Sequence, residues 1–109
     1  MTTKQVARIE EILKQWHESE REHFTRTYSN LDYDSPSYQK TFKVGRKYVN
    51  LDQGGSGYYM LEAETGNVYA IKAYGVINKK KCLGCAWSPT FNGAVMNKMR
   101  GVHGNYNLS

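Results

Sequence analysis

The hydrophobic period of this chain changes once. Up to about residue 27, apolar side chains recur every three or four positions; from Thr41 they alternate every second position. The first period makes one stripe along a helix, and the second makes one face of a strand. The chain is thereby held to an α+β arrangement, in which an N-terminal amphipathic helix covers the apolar side of an antiparallel sheet.

The helix is expected over 2–27. Thr2 and Gln5 have the spacing of a capping box, in which two side chains satisfy orphan amides at a helix start. Val6, Ile9, Ile12, Leu13 and Trp16 form the stripe, and "ESEREHF" continues with a charged outer face. Residues 28–40 read as a connector, because "SNLDYDSPSY" is rich in turn formers.

Three strands then follow within 41–75: "GRKYVNLD", "YYMLEA" and "NVYAIKAYG", separated by "QGGSG" and a tight "ETG" turn. They predict a meander of three strands, four at most. In the last of them Tyr69, Ile71 and Ala73 share one face, with Val68, Ala70, Lys72 and Tyr74 on the other. The helix is expected on the Tyr69 and Ile71 side. Residues 76–109 are basic and contain four glycines after residue 83, which predicts an irregular C-terminal wrap with a short helix near "GAVMNKM". The whole of 1–109 is expected to be one domain.

No run approaches the roughly 18 apolar residues of a membrane span. The N-terminal stretch has acids and no apolar core, so no signal peptide is expected, and two cysteines do not form a secreted disulfide framework. A cytoplasmic location is the expectation.

The net charge of +5 is unevenly spread. Residues 1–39 hold five Lys or Arg against seven Asp or Glu, whereas 40–109 hold ten against three, Asp52, Glu62 and Glu64. Such asymmetry argues about partners, and here it points to an anionic ligand met by the second half.

Catalytic and metal motifs are thin. Cys82 and Cys85 in "CLGC" supply half of a tetrahedral zinc site, but there are no further cysteines, and His17, His23 and His103 are scattered. Redox chemistry would need a thiolate at a helix start within a βαβ unit, which the pattern lacks. A Cys85–His103 pair has no further feature behind it. "QGGSG" lacks the spacing of a P-loop and reads as a hairpin turn. No enzyme activity, metal or cofactor is expected.

The better signal is the interleaving of cations with tyrosines. Lys43, Arg46, Lys47 and Tyr48 open the sheet, Lys72 and Tyr74 follow, then Lys79, Lys80 and Lys81, with Lys98 and Arg100 in the tail. Lys and Arg neutralise phosphates, while tyrosine rings stack on bases. The ligand-binding residues expected from this pattern are Lys47, Tyr48, Lys72, Tyr74, Lys79, Lys80 and Lys81. A small nucleotide, in a pocket that two copies of the chain could share as a homo-oligomer, is favoured over a nucleic-acid strand, since residues 1–39 are net acidic. Tyr-rich surfaces serve protein recognition equally well, so an inhibitor that docks on a nucleic-acid-binding protein is the competing reading.

Over 46–85, the segments "RKYVNLD", "GYYMLEAETGNVYAIKAYGV" and "KKKCLG" resemble a group of small phage-encoded proteins. The shared positions are Lys47, Tyr48, Thr65, Gly66, Tyr69, Lys72, Ala73, Tyr74 and Gly75; the chain departs from the group in having Tyr74 where Trp is commoner, and in its two cysteines. The resemblance implies an accessory protein that counters host defence by binding a defence protein, a nucleic acid or a signalling nucleotide. It assigns no residue roles.

Overall fold

The computed structural model describes residues 1–27 and 35–96. Helix α1 spans Thr3–Thr27. The capping box closes as expected: the Thr2 amide donates to Gln5 Oε1 at 3.0 Å, and the Gln5 amide to Thr2 Oγ1 at 3.1 Å. One stripe of the helix is buried, through Ile9, Ile12, Leu13, Trp16 and Glu20. A short 3-10 turn, Pro36–Tyr38, leads into the sheet.

The sheet has five strands: β1 (Lys40–Val44), β2 (Tyr48–Gln53), β3 (Ser56–Glu62), β4 (Asn67–Ala73) and β5 (Val76–Cys85). All neighbours are antiparallel, in the order β1-β2-β3-β4-β5. The architecture is thus the α+β meander expected, but three or four strands was too few. The segment before Gly45 is a strand of its own, and the first ten residues of the supposed tail form β5. Periodicity misses β5 because its ladder is interrupted. Ile71 faces Ile77 and Tyr69 faces Cys82, so two steps on β4 match five on β5. Residues 78–81 are left out of register as a bulge, and their alternation is lost.

The helix lies on the other face of β4 from the one expected. Val68 and Ala70 are buried in the main core, whereas Tyr69 and Ile71 are half-buried. Register decides this. Val68 and Ala70 pair with Leu61 and Tyr59, which pair in turn with Val49 and Leu51. These rows converge on Ile9, Ile12, Leu13 and Trp16. Burying each such aliphatic side chain contributes about 1.5–3 kcal/mol. A second bulge, between Leu51 and Asp52, leaves Tyr58 as the extra residue of β3. Both Tyr58 and Tyr59 then approach Trp16, with ring centroids at 5.9 and 5.4 Å.

Residues 86–96 return across the helix as an irregular segment that ends in a helical turn at 94–96. Arg8 holds it by donating to the carbonyls of Ala86 (2.8 Å), Ser88 (2.9 Å) and Phe91 (2.5 Å). The Gly93 amide donates to Gln15 Oε1 at 2.8 Å, and the Tyr59 hydroxyl to the Met96 carbonyl at 2.7 Å. Phe91 and Met96 complete the core.

Candidate functional site

Residues 67–85 form the β4–β5 hairpin, which carries Lys72, Lys79, Lys80 and Lys81 and no acidic residue; Glu64 is the last acid in the sequence. The bulge opposite Ile71 and Tyr69 is what presents the lysine run. Its turn is closed by the side chain of Asn78, whose Oδ1 accepts from the Lys80 amide at 3.2 Å. Lys79 and Lys80 are exposed, Lys81 is half-buried, and Lys72 is exposed near the end of β4. Lys79, Lys80 and Lys81 therefore stand on the edge strand β5, and Lys72 on the adjoining strand β4.

The other expected ligand residues are distributed differently. Tyr48 begins β2 and Lys47 directly precedes it, at the end of the sheet that also holds the β3–β4 turn, where the Ala63 amide donates to the Lys47 carbonyl at 3.0 Å. Tyr74 stands in the β4–β5 turn, at the opposite end. Alternation of direction in the meander separates them, so one small ligand does not meet all seven residues. Lys47 instead places its ammonium 5.6 Å from the centre of the Tyr48 ring. Lys98, Arg100 and His103 lie outside the described residues.

Tyr74 leans across the sheet rather than out from it. Its ring fills the space over Gly57 on β3, and a Cβ there would overlap Tyr74 Cδ1 and lie 2.7 Å from Cε1. Opposite Gly57 in register is Asp52, which is 8% exposed. Asp52 and Lys43 alternate with Leu51 and Phe42, which turn toward the core, so the two lie on the face away from the helix. Burial pushes the Asp52 carboxyl above its ordinary range, with Lys43 and the Tyr74 hydroxyl acting in the opposite sense. Its Oδ1 is buried with no hydrogen-bond partner. Sequence reasoning missed this cluster. The one available signal was a glycine inside a strand, which often marks a close approach of another group.

Cys82 and Cys85 are both free thiols at the end of β5. Cys85 Sγ donates to the Thr65 carbonyl at 3.1 Å, and Cys82 lies 3.9 Å from the Gly84 carbonyl. Among the described residues, no group of three or more His, Cys, Asp or Glu side chains is placed to hold a metal ion. His17 is half-buried, with Nδ1 3.1 Å from the Tyr38 carbonyl. Gly54 and Gly55 of "QGGSG" make the β2–β3 turn with positive φ, and the Gly54 amide donates to the Gln39 carbonyl.

The described residues include the linings of two recesses of about 650 and 660 Å³. One is lined by residues that include Cys85, Ser88, Thr90 and Phe91, the other by residues that include Lys4, Arg8, Trp87 and Pro89. Neither is lined by any lysine of the β4–β5 hairpin. No described helix is long and apolar enough to cross a membrane. No protein family, curated protein or solved structure matches the chain.

Proposed function

We propose that the protein is a non-catalytic binder of a phosphate-bearing ligand, which it meets along the β4–β5 hairpin. The observation that carries the proposal is the lysine bulge of β5, with Lys72 on the adjoining strand of a hairpin whose sequence contains no acidic residue. Lysine on an edge strand also serves to prevent sheets from pairing edge to edge, but a bulge or a single charge achieves that alone. Three consecutive lysines on a bulge, with a fourth on the adjoining strand, give a positive strip instead.

A strip along an edge suits an extended anion better than an enclosed one. The arrangement accordingly favours a single nucleic-acid strand over the small nucleotide that composition suggests. Cations then track the backbone phosphates, as in sequence-tolerant strand binders. The phage resemblance supplies the setting of the proposal: an accessory protein acting in the host cytoplasm against a defence system. A second reading, docking on a host defence protein, is supported by the exposed apolar tip of the same hairpin, where Tyr74 and Val76 are 55% and 50% exposed.

Fluorescence anisotropy at low salt tests the proposal with a labelled single-stranded oligonucleotide and with a labelled mononucleotide. The unmodified protein should bind the strand the more tightly. Replacement of Lys79, Lys80 and Lys81 by alanine should weaken that binding at least about tenfold, given the dominance of phosphate neutralisation in such affinities. No binding to either probe would transfer the argument to the protein-docking reading.

A further inference from the structure

The lysines explain how phosphates could be held, but not why an exposed tyrosine ring is fixed at the tip of the same hairpin. Tyr74 and Gly75 make a two-residue turn between Ala73 and Val76, and Gly75 takes the positive φ of 81° that so tight a turn requires. The turn sets the direction in which Tyr74 leaves the backbone. The ring then comes to rest on the Gly57 backbone, with Cδ1 and Cε1 occupying the space a side chain would take and Cγ 3.3 Å from it. Any residue but glycine at 57 would displace it. More than half of Tyr74 nevertheless remains in solvent.

A ring supported on one side has fewer rotamers to lose when a ligand stacks on the other, so stacking on it costs less entropy than on a free side chain. Its surroundings also sort the parts of a ligand. On the supported side lies Asp52, with Lys43 on the same face beside it, so only the open side of the ring is offered to a ligand. Two residues before Tyr74 stands the exposed Lys72, and beyond it the lysine bulge of β5. The phosphates of a strand belong to the lysines and an uncharged, flat group belongs to the ring.

We infer that Tyr74, supported by Gly57, is a preset stacking platform for one base of a single-stranded nucleic acid whose phosphates lie along Lys72 and Lys79–Lys81. This rests on the phosphate-binding reading and adds to it the base-bearing character of the ligand. It also gives Gly57, which touches no ligand, the part of a positioning residue.

Two labelled strands of equal length and phosphate number, one with bases and one abasic, separate the two ideas. The unmodified protein should prefer the base-bearing strand by about tenfold, the lower range of the stacking contribution of one base. Tyr74→Leu should bring the two strands to equal affinity, and restoring a ring as Tyr74→Phe should recover the preference. Gly57→Ala should also abolish it although Tyr74 is intact; if that variant melts too low to assay, the Leu and Phe pair carries the test. Equal affinity for the two strands in the unmodified protein would overturn the platform and leave phosphate binding standing. So would a preference that survives in Tyr74→Leu. Failure to bind either strand would overturn both.

Discussion

Lys40 Nζ lies 2.6 Å from Glu20 Oε1, and the two side chains are 2% and 5% exposed, so strand β1 is joined to helix α1 by a buried ion pair. Lys40 also donates to the Tyr38 carbonyl at 2.8 Å and stands 5.0 Å from the centre of the Trp16 ring. A charge so enclosed is tolerated while its partners remain. Glu20→Ala or Lys40→Ala alone should lower stability by about 3–5 kcal/mol, because each leaves the opposite charge buried without its ion-pair partner. Replacing both by apolar residues of similar volume, as Glu20→Leu with Lys40→Met, should restore most of the loss. Urea denaturation of the two single variants and the double variant measures the difference.

Asp52 predicts a pH dependence of opposite sign to that of a salt-bridged acid. Its carboxyl pKa is raised by burial from an ordinary value of 3.8, so the folded chain holds this proton more tightly than the unfolded chain does. The contribution of this group to stability is greatest below 3.8 and is lost as pH rises through the raised folded value. Asp52→Asn removes the buried charge. The variant should be the more stable protein at pH 7, and its advantage should shrink as pH is lowered toward and below the unfolded pKa. Melting temperatures of the pair measured from pH 3 to 8 check this, and parallel curves would contradict it.

Gly93 reports on the docking of residues 86–96. A Cβ there would collide with the Ile12 carbonyl oxygen and lie 2.9 Å from the carbonyl carbon, both backbone atoms of the helix. Gly93→Ala should therefore push the segment off α1 and cost about 1–3 kcal/mol, as overpacking does elsewhere. Hydrogen exchange should locate the loss in 86–96, with the central strands protected as before.

The helix and strands β2 to β4 are legible in the sequence because each has one dominant signal: the Thr2–Gln5 capping box and apolar stripe, then alternation punctuated by glycine turns. Strand β5 is not, since the lysines that make it interesting also break its alternation. The face of β4 that meets the helix is ambiguous for another reason. Tyr69 and Ile71 are as apolar as Val68 and Ala70, and only pairing with Leu61 and Tyr59 distinguishes them. Of the ligand residues read from the sequence, Lys72 and Lys79–Lys81 are brought together by β4–β5 pairing. Lys47 and Tyr48 are carried to the other end by the direction of β2. The dependence of Tyr74 on Gly57 spans seventeen residues and two strands, a relation that local spacing does not encode.

The salt dependence of strand binding tests the central claim most directly. If Lys72, Lys79, Lys80 and Lys81 each neutralise one phosphate, log Kobs for a single-stranded oligonucleotide should fall with log salt at a slope near −3, about −0.7 for each phosphate. Replacing Lys79, Lys80 and Lys81 by alanine should bring that slope to about −0.7, the share of Lys72 alone. A slope near zero in the unmodified protein, or one that the triple replacement leaves unchanged, would contradict a phosphate-binding role for the β4–β5 hairpin.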